Sequence, residues 1–352
     1  MTDTDKTMER MTGSSSADVA CSRGGVSEEA AELLGRALVC DMVFVYEPEA
    51  QNDVRLFGRW LSCGVNFVSV HPAGDRHNIG EAMRRIARAR KDILSDERYI
   101  LVEDVADILT AQAEGKLAVG FHLEGFRCLE RDLNMIEAYY QLGVRFCHPI
   151  FNLTNSIGGG SADGIDVGLT GFGVKVVKEM NRVGMLVDGS HAGYRATMDM
   201  IEISEAPVMF SHMGCDSVHR HFRNIKDDQI RACAASGGVV GITSAGFYLG
   251  DTSTETYFRH VDHVAQLVGP QHVGIGLDHL GQPCVASLKQ FINERPDEWP
   301  GKEQGAWEPM AFFEPEQLSE LTETMIKKGY PTKDIYGVLG GNFLSLCKRV
   351  WR

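Results

Sequence analysis

The sequence predicts an α/β protein, a (β/α)8 barrel of the TIM type with extra helices at its C-terminal end. Three observations predict it. Eight short apolar runs recur along the chain, with helix-like stretches between them. The runs are almost continuously apolar rather than alternating, as strands buried on both faces should be. The chain has 352 residues, long for an ordinary domain but normal for a barrel. The main competitor, an open doubly wound sheet, is disfavoured because no glycine-rich phosphate turn follows the first run.

Residues 1 to about 25 are rich in Ser, Thr and Asp and are expected to form a disordered tail. Residues 26–352 are expected to form one barrel domain. Its strand-like runs are "ALVCDMVFV" (37–45), "VNFVSVH" (65–71), "KLAVGFHLEG" (116–125), "GVRFCHPI" (143–150), "GMLVDGSH" (184–191), "PVMFSHM" (207–213), "GGVVGITS" (237–244) and "HVGIGLDH" (272–279). Between them, "IGEAMRRIARARKDIL", "DLNMIEAYYQLG", "TGFGVKVVKEMNRVG" and "DDQIRACAASG" carry apolar residues at helical spacing. The last three finish in Gly, a common helix stop. "SIGGGSADG" (156–164) fits neither GxGxxG nor a phosphate loop, and is expected to be a flexible loop after the fourth strand. An insertion over about 282–312, containing "NERPDEWPGKEQGAWEP", is expected to be a loop over the barrel mouth. The remainder reads as two or three packed helices.

A net charge of -13, with no Lys/Arg-rich run, excludes non-specific nucleic-acid binding as a role. No apolar run has membrane length, and the N-terminus lacks the apolar centre of a secretory signal. The nine cysteines are scattered, mostly inside apolar runs (Cys40, Cys63, Cys147, Cys233), with no CxxC pair. They read as reduced, buried thiols of a cytoplasmic protein.

In such a barrel the active site lies at the carboxyl ends of the strands, so polar residues there are the candidates. The third run offers Glu124, the fifth His191, the sixth His212 and the eighth Asp278. A single histidine at a strand end is more often a hydrogen-bonded core residue than a ligand. Imidazoles and carboxylates converging from several strands, however, are what a divalent cation such as zinc requires. His122 lies two residues before Glu124, so the two side chains share a face, which makes His122 a further candidate. His71 and His148 also end strands. Tyr46, Glu47, His219 and His221 read as loop residues, the two histidines in a solvated loop.

Six segments resemble the membrane (renal) dipeptidase family of zinc peptidases, peptidase family M19, and more closely its soluble bacterial branch. They are "FHLEGF", "GLTGFGVKVVKEMNRVGMLVDGSH", "PVMFSHMG", "FRNIKDDQIRACAASGGVVGI", "VGIGLDHLG" and "IYGVLGGNFLSL". They occur in family order across about residues 35–350. The resemblance implies an amidohydrolase-type zinc barrel in which Glu124 is the bridging metal ligand and His191 and His212 complete one zinc site. It also implies that Arg223 binds the substrate carboxylate, and that Asp278 is a ligand and proton-transfer group.

The chain departs from the family pattern in three places. The family's first strand carries a His and an Asp that bind the other zinc; here Val43 and Val45 stand at those positions, although Asp41 is kept. Phe151 stands where the family has a carbonyl-polarising histidine, and Leu277 and Leu280 replace polar neighbours of Asp278. The expectation is therefore a metal-dependent hydrolase holding one zinc, cleaving a dipeptide or similar small N-acyl amino acid, without membrane or nucleic-acid partners and as a homodimer. The alternatives are a mononuclear enzyme of the same fold with another reaction (lyase, isomerase or biosynthetic step), or a non-catalytic binding protein.

Overall fold

A computed structural model describes residues 25–302 and 305–352. The tail expected at the N-terminus lies outside this range but for its last residue. All eight apolar runs form strands: β1 Cys40–Phe44, β2 Phe67–Gly74, β4 Leu117–Glu124, β5 Val144–His148, β6 Leu186–Asp188, β7 Val208–Met213, β8 Val240–Ile242 and β9 Val273–Ile275. Every residue of these strands is buried except Glu124. A ninth strand, β3 Tyr99–Leu101, has no counterpart in the sequence reading. It pairs with the first residues of β4, Tyr99 opposite Leu117, and β5 takes over further along.

All pairings within the sheet are parallel, and the sheet closes on itself. β1 pairs with β2 through Cys40 and Phe67, and with β9 through Asp41 and Ile275. β2 pairs directly with β4, Phe67 opposite Ala118. The ring of eight is thus β1-β2-β4-β5-β6-β7-β8-β9, the (β/α)8 barrel predicted.

The surrounding helices follow from local chemistry. Ile79–Leu94 starts at Asn78, whose side chain accepts from Glu81 N–H while the Glu81 carboxylate accepts from Asn78 N–H. Its buried residues, Ala82, Ile86, Ala89 and Ile93, recur at helical spacing and form the face turned to the barrel. Gly171–Val183 ends at Gly184, whose left-handed backbone (φ 86°) turns the chain into β6. At the C-terminus, Leu318–Lys327, Thr332–Tyr336 and Asn342–Val350 are helical. Asn342 Nδ2 donates to Pro270 O and Val273 O, both at 2.8 Å, so the last helix is pinned to the start of β9.

Two loop expectations and the cysteine reading are corrected. The 282–312 insertion is only partly loop, because Gln282–Glu294 is a helix. Its apolar residues, such as Val285 and Ile292, pack with Phe247, Trp299, Trp307 and Phe312 into a small core of their own, and that burial stabilises the helix. The 156–164 stretch is packed, not loose: residues 157–160 are buried, and Gly158 and Gly160 bridge to Leu169 and Ala192. Seven cysteines are free and buried, but Cys63 is disulfide-bonded, so the reading of reduced thiols throughout fails there. Pairing is decided by which sulfurs the fold brings together, which no local spacing displays. The correction also removes one ground for expecting a cytoplasmic protein. Among the described residues no helix is long and apolar enough to cross a membrane.

Candidate metal centre

The candidate side chains sit where strands hand over to their loops. Glu124, His148 and Asp188 are the last residues of β4, β5 and β6, and His212 is one residue short of the end of β7. His191 and Asp278 lie just beyond β6 and β9, on left-handed backbone with φ 68° and 52°. Non-glycine residues adopt that conformation at a cost, and it concentrates at functional sites.

His191 and His212 face each other, Nε2 to Nε2, at 2.9 Å. The second nitrogen of each is engaged behind. His191 Nδ1 donates to Asn152 Oδ1 at 2.8 Å, which leaves a lone pair on Nε2. His212 Nδ1 meets Ser211 Oγ at 2.7 Å. Ligating histidines are oriented in this way by partners on the opposite nitrogen. Burial pushes His212 down to about 3 and His191 well below its usual value, so both are neutral, the ligating form.

Glu124 is common to two clusters. Glu124, His148 and His191 each bring one donor atom within 4.8 Å of the others, and so do Glu124, His212 and Asp278. Burial, reinforced by the Glu124 charge, pushes Asp278 well above the usual carboxylate range. Burial would raise Glu124 as well, but the imidazoles of His71, His148 and His122 outweigh it and hold its carboxyl well below that range. The surroundings thus drive the two carboxyls in opposite directions, Glu124 down and Asp278 up. Imidazoles gathered around a carboxylate suit zinc or a similar borderline cation. The fit is supported by buried polar atoms with no hydrogen-bond partner among the described residues: both ring nitrogens of His148, Nε2 of His122 and Oδ2 of Asp188.

Arg223, on the loop after β7, is only 3% exposed, although a lone guanidinium is rarely buried. Its Nη1 faces Met213 Sδ at 3.6 Å, while Nε and Nη2 have no hydrogen-bond partner among the described residues. It lies over the Tyr248 ring at 5.3 Å, and its charge adds to the depression of His191 and opposes the rise of Asp278. His221 accepts from Arg223 N–H through Nδ1 at 3.1 Å and donates to Ala306 O through Nε2 at 3.0 Å. It is buried and positions Arg223, so the solvated-loop expectation does not hold for it. Ala306 belongs to the 282–312 insertion, so that insertion packs against the support of Arg223.

The structure thus gathers Glu124, His191, His212 and Asp278 at one rim, with Arg223 beside them. His122 Nε2 stands 3.7 Å from Glu124 Oε1. Asp41 has a positioning role: its Oδ2 accepts from Trp60 Nε1 at 2.9 Å and its Oδ1 from Leu277 N–H at 2.8 Å, locking β1 to the turn that carries Asp278. Phe151 stacks on His191, ring centroids 4.3 Å apart. Asn152 was not legible as a site residue. Its only sequence signal is that asparagine tolerates left-handed backbone, here φ 53°. Glu124, His71, His191 and Asp278 open into a cavity of about 410 Å³, walled by Phe247, Leu288, Phe291, Trp299 and Phe312.

A closed parallel barrel with imidazoles and carboxylates gathered at its carboxyl rim is the architecture of a metal-dependent barrel protein. The membrane dipeptidase family (peptidase family M19) matches residues 49–293, and the chain belongs to that family. An uncharacterized dipeptidase of Schizosaccharomyces pombe is 29% identical over 264 residues, covering 71% of this chain and 63% of that protein. Dipeptidase 3 of Rattus norvegicus is 28% identical over 286 residues, covering 78% and 53%. The chain thus spans between about half and two thirds of the length of these curated relatives. Among solved structures, an amidohydrolase from Pseudomonas aeruginosa superposes with a TM-score of 0.81 at 26% identity, covering 92% of this chain and 99% of that one. A metallo peptidase from Rhodobacter sphaeroides, liganded with a phosphinate mimic of the dipeptide L-Ala-D-Ala, superposes with a TM-score of 0.72 at 20% identity, covering 90% and 99%. That second likeness concerns the fold.

Proposed function

We propose that this chain is a metal-dependent hydrolase that cleaves the amide bond of a dipeptide or a similar small N-acyl amino acid. The observation that carries the reading is the convergence of Glu124, His191, His212 and Asp278 beside a buried guanidinium with free donors. Glu124, His191 and His212 would hold zinc. When bound, a divalent cation there acidifies water, polarises the amide carbonyl and favours the carboxylate form of Asp278.

The chain's own residues supply the rest. Arg223 grips the substrate carboxylate through its planar fork, which fixes the scissile bond against the rim. Asp278 accepts a proton from the attacking water and passes it to the nitrogen of the departing amine. The aromatic walls of the 410 Å³ cavity exclude water and favour a bulky apolar side chain on the substrate.

The test is release of free amino acid from a panel of dipeptides and N-acyl amino acids. The zinc-loaded chain is compared with the same chain stripped by a chelator and then reloaded. Cleavage that disappears on stripping and returns on reloading, strongest for bulky apolar residues, is the expected result. A zinc-loaded chain that leaves the whole panel intact overturns the reading. One observation favours a second reading, a different reaction on the same fold: the Phe151 ring, stacked on His191 with centroids 4.3 Å apart, has nothing to donate to a substrate carbonyl. Bound zinc without cleavage of the panel selects it.

A further inference from the structure

Beside the cavity of the metal centre lies a larger one, about 640 Å³, to which the chemistry above gives no role. Arg76 and Phe151 line both. The segments after β4 and the 282–312 insertion bring Arg127, Arg131 and Arg295 to its walls. Four guanidinium groups around one cavity stand out in a chain of net charge -13, and a cleft lined by one sign of charge concentrates ligands of the other.

The neighbouring carboxylates leave these cations in surplus. Glu298 is shared between Arg295 Nη1 at 2.7 Å and Arg76 Nη2 at 3.3 Å. Asp75 is turned to amide donors instead: it accepts from Arg127 N–H at 2.7 Å, Asn155 Nδ2 at 3.0 Å and Phe151 N–H at 3.3 Å, which ties three walls of the cavity together. Glu130 remains, against Arg127 and Arg131. The guanidinium groups of those two arginines make no ion pair or hydrogen bond among the described residues, and Arg131 lies over the Phe172 ring at 4.6 Å. Glu130 and Arg131 both hold left-handed backbone, φ 48° and 66°, a strain that concentrates at functional sites.

The placement relates this cavity to the reaction. Asp75 N–H donates to Glu124 O at 2.8 Å, so the arginine-lined walls begin directly beside the metal centre. They stand over β2, β4 and β5, whereas Arg223 follows β7. A substrate with its carboxylate on Arg223 and its scissile bond at Glu124 extends its acyl portion toward Arg76 and Phe151.

We propose that the arginine-lined cavity binds a second anionic group, a carboxylate or a phosphate, at the far end of the acyl portion, so that the substrate is an acidic N-acyl amino acid. One exposed arginine contributes little to holding an anion, but several converging planar forks hold it well. An ammonium group in its place would meet guanidinium groups of like charge. The proposal rests on the hydrolase reading, so its test includes a measurement that needs no cleavage.

Three compounds with phenylalanine as the departing amino acid are compared on the zinc-loaded full chain: N-acetyl-, N-succinyl- and N-phosphonoacetyl-phenylalanine. For at least one of the two acidic compounds, kcat/KM should exceed that of the acetyl compound by about tenfold or more, as charge-assisted hydrogen bonds allow. Which of the two prevails distinguishes carboxylate from phosphate. In Arg127→Ala/Arg131→Ala the ratio should fall to within about twofold, and Arg127→Lys/Arg131→Lys, which keeps the charge without the fork, should restore part of it. The ratio is internal to each chain, so partial loss of folded protein does not alter it. Equal kcat/KM for all three compounds, or a preference that survives the alanine substitutions, overturns the proposal. If none of the three is cleaved, the hydrolase reading falls, and the same compounds are titrated calorimetrically. Tighter binding of an acidic compound that is lost in the alanine variant then upholds the cavity as an anion site, and equal binding of all three overturns it as well.

Discussion

At the scale of the residue, orientation matters more than identity. His191 ligates usefully only if Nε2 points at its partners, and Asn152 secures this by taking the proton side of the ring at 2.8 Å. Asn152→Ala removes that acceptor and leaves a buried N–H unpaired. Loss of such a partner typically weakens metal binding about 10–100-fold. Competition with a chromophoric chelator should show a drop of that size. An unchanged affinity would mean that stacking against Phe151 and His148 orients the ring instead. Glu124, His191, His212 and Asp278 were legible because each ends an apolar run. Asn152 was not, because it lies in a loop whose path is set by contacts distant in sequence.

At the scale of the element, the loop over 156–164 carries that support. A Cβ on Gly160 would come within 2.0 Å of Asn152 O, a backbone atom that cannot move aside. Gly164, in the same loop, has nothing within 4 Å of its Cβ position. Gly160→Ala should therefore lower stability by about 1–3 kcal/mol, as overpacking does, and loosen Asn152 as well. Gly164→Ala should be neutral within about 0.5 kcal/mol. Denaturant melts of the pair decide the point, and equal stabilities would show that the loop yields. The glycines were visible in the sequence, but their reason was not. A run of Gly reads equally as a flexible linker or as a place where two backbones touch.

At the scale of the whole molecule, the barrel must be held closed at the segment that carries Asp278. His279 Nε2 lies 2.7 Å from Glu314 Oε2, and Arg59 reaches the same carboxylate at 2.5 Å, joining three stretches of chain far apart in sequence. Burial opposes ionisation of Glu314, but His279 and Arg59 outweigh it and hold its carboxyl down at about 2. A folded value below the unfolded one, about 4.3, means stability present above that pH and lost as pH falls toward 2. Glu314→Gln should thus lower the melting temperature at pH 6, and the gap to wild type should close between about pH 4.3 and 2. A gap that persists undiminished to the acid end would show that the carboxylate charge is not what ties these segments together.

By itself the sequence determined the barrel, the order of its eight strands and the rim residues, because burial on both faces forces continuous apolar runs and each run must end where polar chemistry can begin. It also set Val43 and Val45 where the family resemblance calls for metal ligands. Only the tertiary structure decided the rest. β3 lies in an apolar run of only four residues, 99–102, with charged residues on both sides, so no strand-length run marks it. The helix Gln282–Glu294 is held by packing against Phe312 and its neighbours, not by its own periodicity. The bond at Cys63, the anchoring of His191 by Asn152, and the meeting of His71, His122 and His148 around Glu124 all depend on distances between residues far apart in the chain. Such distances are set when the sheet closes and β1 meets β9; no local stretch of sequence encodes them.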